Sequence, residues 1–426
     1  MAWTNTKNKA LQERARQVIP NGMYGHEATT LLPPEFPQFY RRAKGARLWD
    51  ADDNEYIDYM CAFGPNLLGY LHEPVEAAAA AQQALGDSMT GPSEIMVELA
   101  ETMVGMVIHA EWALFCKNGT DATSAAIMVA RAQTGRRKIL YAKGAYHGAA
   151  AWCTPRLGGV LPEDRAHLVY YEYDSAESLA DAFKAHAGDV AGVIATPFLH
   201  EVFRNQSDPN RDFALAARQL CDEHGAMLIV DEVRSGFRIA RDCTWAQYGV
   251  QPDITTWGKC IANGYPISAV LGSKTSRKGG EEIFVTGSFW YGATAMAASI
   301  QTLRLIRETD YLERTVETGR RLREGLQQQA ASHGFTLKQT GPVQMPQVFF
   351  EDDPDFRVGY GWTVEALKRG VYLHPYHNLF LSGAHTLGDI EKTLEATDGA
   401  FEALKRRRAE LQPHAVLTQL LASRAA

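Results

Sequence analysis

Apolar residues recur with helical spacing near both ends of the chain, and short apolar runs separate the helices in between. Residues 6–18 predict an opening helix, which Pro20 and Gly22 terminate. Three short strands are expected next, over 39–42, 46–50 and 55–59, around a polar turn at 52–54. The opening section therefore predicts one helix followed by a small group of strands.

Helices and strands alternate from about residue 71 to residue 308. Helices are predicted over 94–108, 120–133 and 213–224, and strands over 112–116, 138–141, 189–195 and 227–230. The run 227–230 is apolar throughout, as in parallel strands that are buried on both faces. We therefore expect an α/β fold with a mostly parallel central sheet covered by helices on both faces. Ligands of such sheets bind at the carboxyl ends of the strands.

The pattern changes near residue 311. A long amphipathic helix is predicted over 312–330, strands over 348–350 and 371–373, and a closing helix over 387–407. These segments predict a smaller α+β lobe built from the chain ends. Residues 1–70 are expected to join this lobe, residues 71–310 to form the large domain, and residues 311–426 to form the C-terminal small domain.

The composition excludes several classes of protein. The chain has 426 residues, of which 46% are hydrophobic, and a net charge of −7, which is typical of a globular protein and unsuited to binding nucleic acid. No apolar run reaches the roughly eighteen residues that span a bilayer, and the N-terminus lacks the apolar core of a signal peptide. We expect a cytoplasmic protein that binds small molecules and neither nucleic acid nor membrane.

Neither the cysteines nor the histidines indicate a metal site. The six cysteines lie far apart and form no CxxC pair, which predicts buried free thiols rather than a zinc site or a disulfide framework. His374 and His377 have an HxxH spacing, but the sequence offers them no third ligand.

Polar residues at three strand ends carry the candidate chemistry. Asn118, Gly119 and Thr120 open a helix, where free N–H groups suit a phosphate, although ordinary helix capping explains the same residues. Asp231 ends an apolar strand, so its carboxylate needs a cation, a strong donor or a structural hydrogen bond. Lys259 lies among apolar neighbours that suit a Schiff-base lysine of lowered pKa, although a lone lysine is more often a solvated surface group.

These segments occur together in the order and spacing of one family. The matching runs are AKGARLWDADDNEYIDY (43–59), FCKNGTDA (115–122), GAYHG (144–148), LIVDEVRSGFRIA (228–240) and QPDITTWGKCIANGYP (251–266). The chain resembles the class III, fold type I pyridoxal-phosphate (PLP) enzymes. Its pattern is most similar to glutamate-1-semialdehyde aminomutase and the related amine and β-amino-acid transaminases.

The resemblance implies how the cofactor would be held. Lys259 would bind PLP through a Schiff base, and Asp231 would keep the pyridine nitrogen protonated, so that the ring accepts electrons. Gly119 and Thr120, with Asn118 beside them, would cradle the phosphate.

Four further residues have roles implied by the resemblance. Tyr146 would stack on one face of the cofactor ring and Val233 would pack on the other, while His147 would support the site. Ser288 lies one residue away from the place of a family threonine that reaches the phosphate of the neighbouring subunit. A homodimer with shared active sites is thereby implied. A core aromatic role for Tyr146 and a turn role for Ser288 are the alternatives.

The departures from the family pattern bear on the substrate. The aminomutases hold the substrate carboxylate with an arginine near the N-terminus, whereas residues 22–30 contain none and have Ala28 near that place. Residues 374–386 lack the acidic or arginine residue that the relatives place there. Without a guanidinium, a carboxylate next to the reacting carbon has no clamp. Thr196 and Glu201 replace a glutamate and an asparagine, and their roles stay open.

These features together predict an amine aminotransferase. It would pass an amino group from a bulky or long-chain primary amine to a keto acid such as pyruvate or 2-oxoglutarate, in ping-pong order. The aromatic candidates for the substrate pocket are Tyr24, Phe63, Trp152, Trp290 and Tyr291. Arg204 or Arg238 is a candidate to hold the carboxylate of the acceptor, with an exposed salt bridge as the alternative role of each.

Three alternatives stay open at this point. The first is an aminomutase of the glutamate-1-semialdehyde type, which transfers the amine within one molecule, and the second is a β-amino-acid transaminase. The third is a catalytically silent protein with the same fold that serves as a binding module, against which the intact pair of Lys259 and Asp231 argues.

Overall fold

The computed structural model describes residues 3–199, 201–208 and 210–425, with side chains as far as residue 421. The chain divides into two compact units. The first comprises residues up to Phe63, Leu68–Leu71 and residues from Glu313 onward, and the second comprises Gly64–Leu67 and His72–Leu312. The expected boundaries at residues 70 and 310 lie close to these, but residues 64–67 belong to the second unit.

Strands and helices alternate along most of the described chain. The strands are β1 (Tyr40–Lys44), β2 (Arg47–Asp50), β3 (Glu55–Asp58), β4 (Trp112–Cys116), β5 (Lys138–Ala142), β6 (Leu168–Tyr171), β7 (Val190–Ala195), β8 (Met227–Asp231), β9 (Ile254–Trp257), β10 (Ser268–Gly272), β11 (Leu337–Thr340), β12 (Gln347–Phe350) and β13 (Val371–Tyr372). The helices are α1 (Thr6–Val18), α2 (Glu73–Leu85), α3 (Ile95–Met106), α4 (Gly119–Thr134), α5 (Ala176–Ala185), α6 (Arg211–His224), α7 (Arg277–Glu282), α8 (Ala293–Glu308), α9 (Tyr311–Ser332), α10 (Arg357–Leu367), α11 (Leu387–Arg407) and α12 (Ala415–Ala425).

A seven-stranded sheet forms the centre of the second unit. Its order is β4-β10-β9-β8-β7-β5-β6, and its strands run parallel except β10, which is antiparallel to both of its neighbours. Strands β7 and β10 are buried along their whole length, which explains why their sequences are apolar except at Ser268. The fold of this unit is the expected α/β arrangement, and the prediction is confirmed.

Helix α4 begins at a capping box and packs its small residues against the sheet. Asn118 accepts hydrogen bonds from the N–H groups of Thr120 and Asp121, and the Asp121 carboxylate accepts from the Asn118 N–H. Alanines and Ile127 of the helix join a buried cluster with residues of the strands. Gly135 ends the helix in the left-handed conformation.

The first unit contains a four-stranded sheet, β1-β2-β3-β13, and the hairpin of β11 and β12. Its apolar cluster joins residues of these strands with helices α9, α10 and α11. A capping box of Thr386 and Asp389 opens helix α11. The predicted helices 6–18 and 387–407 match α1 and α11, whereas β6, β10 and β11 were not predicted from the sequence.

All six cysteines belong to the described residues, where they are buried and form no disulfide bond. Among the helices of the described residues, none is long and apolar enough to cross a membrane.

Candidate active site

The candidate residues lie at the ends of four strands of the seven-stranded sheet. Strands β4, β5, β8 and β9 run in one direction, so their carboxyl ends meet at the same edge. Residues 118–120 follow β4, residues 146–147 follow β5, Asp231 ends β8, and Lys259 comes two residues after β9. This edge is where ligands bind in sheets of this kind.

Three groups hold the buried carboxylate of Asp231, which is 7% exposed. Its Oδ1 accepts hydrogen bonds from Thr256 Oγ1 at 2.9 Å and from the Val233 N–H at 3.0 Å. Its Oδ2 lies 2.7 Å from Nδ1 of His147. A carboxylate has about four lone-pair sites, so one remains for a cationic N–H donor.

His147 is fixed behind Asp231 by its surroundings. Its ring is buried, its carbonyl oxygen accepts a hydrogen bond from Thr123 Oγ1 at 2.6 Å, and the Tyr141 ring meets it edge-on at 5.0 Å. The bond to Asp231 places the proton on Nδ1 in the neutral ring, so His147 orients the carboxylate. Its Nε2 has no hydrogen-bond partner among the described residues.

The N-terminus of α4 offers donors to an anion. The Asn118 side chain accepts hydrogen bonds from the N–H groups of Thr120 and Asp121, which confirms that Asn118 caps the helix. Thr120 Oγ1 accepts from the Ala149 N–H at 3.1 Å, which leaves its own O–H available to donate. The positive end of the helix dipole adds to this attraction for a phosphate.

Two glycines make room at this helix end. A Cβ atom on Gly119 would lie 2.8 Å from Cγ1 of Val233. Gly148 has φ of +122°, and a Cβ atom there would lie 3.0 Å from the Cα of Thr120. The loop after β5, the start of α4 and Val233 therefore meet at one point, which larger side chains would close.

Lys259 sits in a strained turn directly after β9. Its φ of +47° is left-handed, a conformation that costs a residue with a side chain about 1–2 kcal/mol. Part of the Lys259 residue is accessible to solvent, whereas its amine is buried in the protein. Burial, followed by the positive charge of Arg234, lowers the pKa of the amine to about 7. Arg238 acts in the same direction, and Cys260 and Asp231 oppose it.

These groups fit a PLP molecule. A buried carboxylate with one open lone pair suits the pyridine nitrogen, a helix N-terminus with glycine-made space suits the phosphate, and a lysine of lowered pKa suits bonding to the aldehyde carbon. The part of the chain that the structure describes contains no cluster of three or more residues able to hold a metal ion.

Tyr146 and Ser288 lie on loops of the second unit. Tyr146 is half-buried, follows β5 and interacts electrostatically with Arg234. Ser288 is exposed on the segment between α7 and α8. Their predicted contacts with the ring and with a neighbouring subunit stay predictions.

The aromatic candidates are divided between the units. Tyr24 is exposed and Phe63 is half-buried in the first unit. Trp152 donates from Nε1 to Ser124 Oγ at 3.0 Å, and both Trp152 and Trp290 pack against the buried cluster beneath α4. Tyr291, which follows Trp290 in sequence, is half-buried. The two tryptophans thus have structural contacts in the second unit.

The two arginines named from the sequence differ in their surroundings. Arg204 is exposed and lies 3.2 Å from Glu201, the surface salt bridge given as its alternative. Arg238 is 1% exposed and donates to the Gly64 carbonyl, so an exposed salt bridge was the wrong alternative for it. Arg234 was not predicted as a site residue from the sequence. It follows Asp231 by three residues and interacts electrostatically with both Lys259 and Tyr146. Its place in the DEVRSGFR run was the available signal.

The remaining open positions have local partners. Thr196 donates from its hydroxyl to the Phe198 carbonyl at 3.1 Å. Glu201 lies beside Gly144, where a Cβ atom would come within 2.9 Å of its carboxylate. His374 Nδ1 accepts from the His377 N–H at 3.1 Å, which occupies the lone pair that a metal would need.

Comparisons with known proteins agree with this geometry. The family model of the class III aminotransferases matches residues 33–387. The fold and the site define a PLP-dependent transferase of fold type I, and the chain belongs to the class III aminotransferases. It is a PLP-dependent aminotransferase.

Individual relatives cover nearly the whole chain. The aminopentol aminotransferase of Sphingopyxis macrogoltabida is 64% identical over 415 residues, which are 97% of this chain and 98% of that protein. The PLP internal aldimine form of the FumI protein of Sphingopyxis sp. MTA144 has a TM-score of 0.96 at 64% identity, over 97% of this chain and 100% of that one. A glutamate-1-semialdehyde 2,1-aminomutase of Desulfitobacterium hafniense is 32% identical over 95% of this chain and 100% of that protein.

Proposed function

We propose that the protein transfers the amino group of a long-chain, hydroxyl-bearing primary amine to a keto acid such as pyruvate or 2-oxoglutarate, in ping-pong order. One observation supports the transferase chemistry: a single sheet edge carries Lys259, Asp231 and His147, and the pKa of the Lys259 amine is lowered. Residues 22–30 and 374–386 contain no arginine that could bind a carboxylate. We therefore propose an amine without a carboxylate next to the reacting carbon.

Lys259 is the proposed base. PLP, when bound, would supply an electron sink for the pair that is left when a proton departs from the carbon next to the substrate's amino group. The Lys259 amine accepts that proton and returns it, which requires an uncharged amine. A pKa of about 7 keeps a large part of the lysine uncharged near neutral pH.

Asp231 and the α4 terminus orient the cofactor. The Asp231 carboxylate faces the pyridine nitrogen and favours its protonated form, since an anion in a buried site stabilises a nearby cation. The Thr256 hydroxyl, the Val233 N–H and His147 hold the carboxylate in place. Gly119 and the Thr120 hydroxyl bind the phosphate, with Tyr146 and Val233 on the two faces of the ring.

A group of rings in the first unit supports an uncharged, hydroxylated substrate. Phe63 lies 5.7 Å from His26, 6.3 Å from His374 and 5.4 Å from His377, measured between ring centres. These histidines come from the two segments that lack arginine. Burial, with the charge of His26 as a lesser cause, lowers the pKa of His374 to about 3, so this ring is uncharged at neutral pH.

The protonation of His374 suits a hydroxyl group. Its Nδ1 accepts from the backbone, so the proton of the neutral ring is on Nε2. No hydrogen bond from this Nε2 to another described residue is found, whereas Nε2 of the equally buried His385 bonds to the Asp58 carbonyl. A neutral N–H donor among aromatic rings favours a hydroxyl on a carbon chain over a carboxylate. The 64% identical relative is named for aminopentol, an amine that bears hydroxyl groups.

Arg234 is the proposed contact for the carboxylate of the acceptor. It follows the cofactor-binding Asp231, and its charge acts on Lys259 and on Tyr146. A guanidinium binds a carboxylate through two parallel hydrogen bonds.

A homodimer is supported by apolar side chains on the second unit. Leu85 is 81% exposed, Phe284 84% and Phe289 64%. Hydrogen bonds from the N–H groups of Ala293 and Thr294 to Asp87 bring the ends of the segments that carry these residues together. Exposed apolar surface of this kind marks interfaces between proteins. Ser288 lies on the same segment, which supports its reaching a partner subunit.

The test compares amines in the first half of the reaction. Purified holoenzyme is mixed with a long-chain amino alcohol, the same amine without hydroxyls, an α-amino acid or a β-amino acid, and the absorbance of the bound cofactor is followed without acceptor. We expect the amino alcohol to react fastest. Addition of pyruvate or 2-oxoglutarate should restore the starting spectrum and give parallel lines in double-reciprocal plots.

Two controls separate the alternatives. Lys259→Ala should lose turnover and the absorbance of the bound cofactor, whereas Lys274→Ala, at an exposed lysine of the same unit, should keep both. Turnover of glutamate semialdehyde without any acceptor would establish the aminomutase instead. A fastest reaction with the β-amino acid would establish the β-amino-acid transaminase, and no reaction with any of the four amines would refute the proposed class of donor.

A further inference from the structure

The turn that carries Lys259 packs tightly against the loop that follows Asp231. A Cβ atom on Gly236 would lie 2.6 Å from the Trp257 ring, so only glycine allows this approach. The Phe237 and Trp257 rings pack with their centres 4.6 Å apart. The loop that presents the carboxylate to the cofactor therefore also supports the turn that presents the lysine.

Arg238, at the end of this loop, joins three segments of the second unit. Its guanidinium is buried, and its Nη2 donates to the Gly64 carbonyl. The same Nη2 lies 3.2 Å from Sγ of Cys260, and the Cys260 thiol donates to the Gly64 carbonyl at 3.5 Å. Arginine, thiol and carbonyl thus form a closed triangle of contacts beside Lys259.

The neighbouring segment is fitted to the same turn. A Cβ atom on Gly264 would lie 2.7 Å from Oδ1 of Asn66. Gly64 and Asn66 therefore contact the two ends of the turn, at Cys260 and at Gly264. Lys259 and Asn263, between these contacts, both have left-handed backbones, with φ of +47° and +46°. Such strain persists only when the surroundings hold it.

We propose that Arg238 is a positioning residue, which holds the Lys259 turn through Cys260 and the Gly64 carbonyl and places a fixed positive charge beside the lysine amine. This role goes beyond the transferase assignment and rests on Lys259 being the cofactor lysine. Arg238 itself touches neither the cofactor nor the substrate in this proposal.

The charges around Lys259 agree in sign with this role. Arg234 and Arg238 both lower the pKa of Lys259, with Arg234 the larger of the two, while Cys260 and Asp231 raise it. Burial of the amine is the largest cause. Loss of either arginine charge should therefore raise the pKa of Lys259, but only loss of Arg238 should also release the turn.

Four variants separate the charge from the anchoring contacts. Arg238→Lys keeps the charge and loses the forked guanidinium, and Arg238→Met loses both. Cys260→Ala removes one anchor and keeps both arginines, and Cys260→Ser restores a short polar side chain at that place. Arg234→Met removes a charge and keeps the side chains of Arg238 and Cys260.

The pKa of Lys259 is measured on the apo protein. An amine-reactive reagent is applied between pH 5.5 and 10, and labelling of the Lys259 peptide is quantified by mass spectrometry relative to the exposed Lys274. We expect R238M and R234M to reduce the labelling of Lys259 at pH 7 about three- to tenfold, as expected for the loss of one partly screened charge. R238K and C260A should keep labelling within about twofold of the wild type.

The kcat of the holoenzyme shows whether the contacts of Arg238 and Cys260 hold the Lys259 turn in its productive position. R238K and C260A should lower kcat about tenfold, and C260S should recover most of that loss. R234M enters only the labelling comparison, because Arg234 is the proposed contact for the carboxylate of the acceptor. A purely structural role for Arg238 would lower thermal stability and leave the labelling profile and the kcat of folded protein unchanged.

Two results would overturn the proposal. One is an R238M labelling profile that matches the wild type; if R238M does not fold, the second result decides. The second is a kcat within about twofold of the wild type for both R238K and C260A. Borohydride reduction of the wild-type holoenzyme serves as the separate check, because PLP fixed to a residue other than Lys259 would refute the cofactor assignment, not the anchoring.

Discussion

Gly119→Ala tests whether helix α4 and Val233 form one cradle for the cofactor. The added Cβ would lie 2.8 Å from Cγ1 and 3.2 Å from Cγ2 of Val233. Contacts this short force the two groups apart, and overpacking of this kind costs about 1–3 kcal/mol. Because these groups face the proposed phosphate and ring sites, we expect G119A to weaken PLP binding about tenfold to a hundredfold.

Val233→Ala shows whether the short contacts are the cause. Val233 Cβ lies 3.6 Å from the added atom, which is an ordinary contact, so V233A removes both short ones. V233A alone should weaken PLP binding because it removes packing from the ring. Adding G119A to V233A should then change PLP affinity by less than about twofold, because the two substitutions share one contact.

Titration of apo protein with PLP, followed by absorbance, measures the affinity of each variant. Gly158→Ala is the matched control, because a Cβ atom at residue 158 meets nothing within 4 Å, and it should bind PLP like the wild type. Urea unfolding of the apo proteins separates a loss of affinity from a loss of stability. The reasoning is refuted if G119A binds PLP within about twofold of the wild type, or if the two costs add in the double variant.

Three further predictions concern single groups. Thr256→Val removes a hydrogen bond to the Asp231 carboxylate and should lower kcat about tenfold, whereas Thr302→Val, at a hydroxyl bonded within α8, should not; equal kcat values for the two would contradict this. Between about pH 7 and pH 10.4 the Lys259 amine is uncharged in the folded apo protein, whereas unfolding returns it to its ordinary pKa and binds a proton. The free energy of unfolding should therefore rise with pH in this range, by at most about 1.4 kcal/mol per pH unit. Urea titrations of Lys259→Met should lack this slope. Asn118→Ala and Thr386→Ala each remove a capping box and should cost about 1 kcal/mol in urea unfolding, but only N118A should weaken PLP binding.

The strongly patterned elements followed from the sequence alone. Helices α1 and α11 and strand β4 were predicted with their observed bounds, because amphipathic spacing and flanking turn residues act locally. Asp231 and Lys259 stood out for the same reason, as polar groups at the ends of apolar runs. Strand β10, which is antiparallel in the sheet, was missed, since its pairing with β4 and β9 is a contact between distant segments.

The partners of each residue depended on tertiary structure. The bond between Asp231 and His147 joins residues 84 positions apart, and the contact of Arg238 with Gly64 joins residues 174 apart. Arg238 shows the consequence, because an arginine in a turn-like sequence reads as exposed until the fold closes over it. The sequence thus determined which elements form and which residues can carry the chemistry, since these follow from local patterns. The tertiary structure decided burial, charge environment and backbone strain, since each of these arises from segments that the chain brings together only on folding.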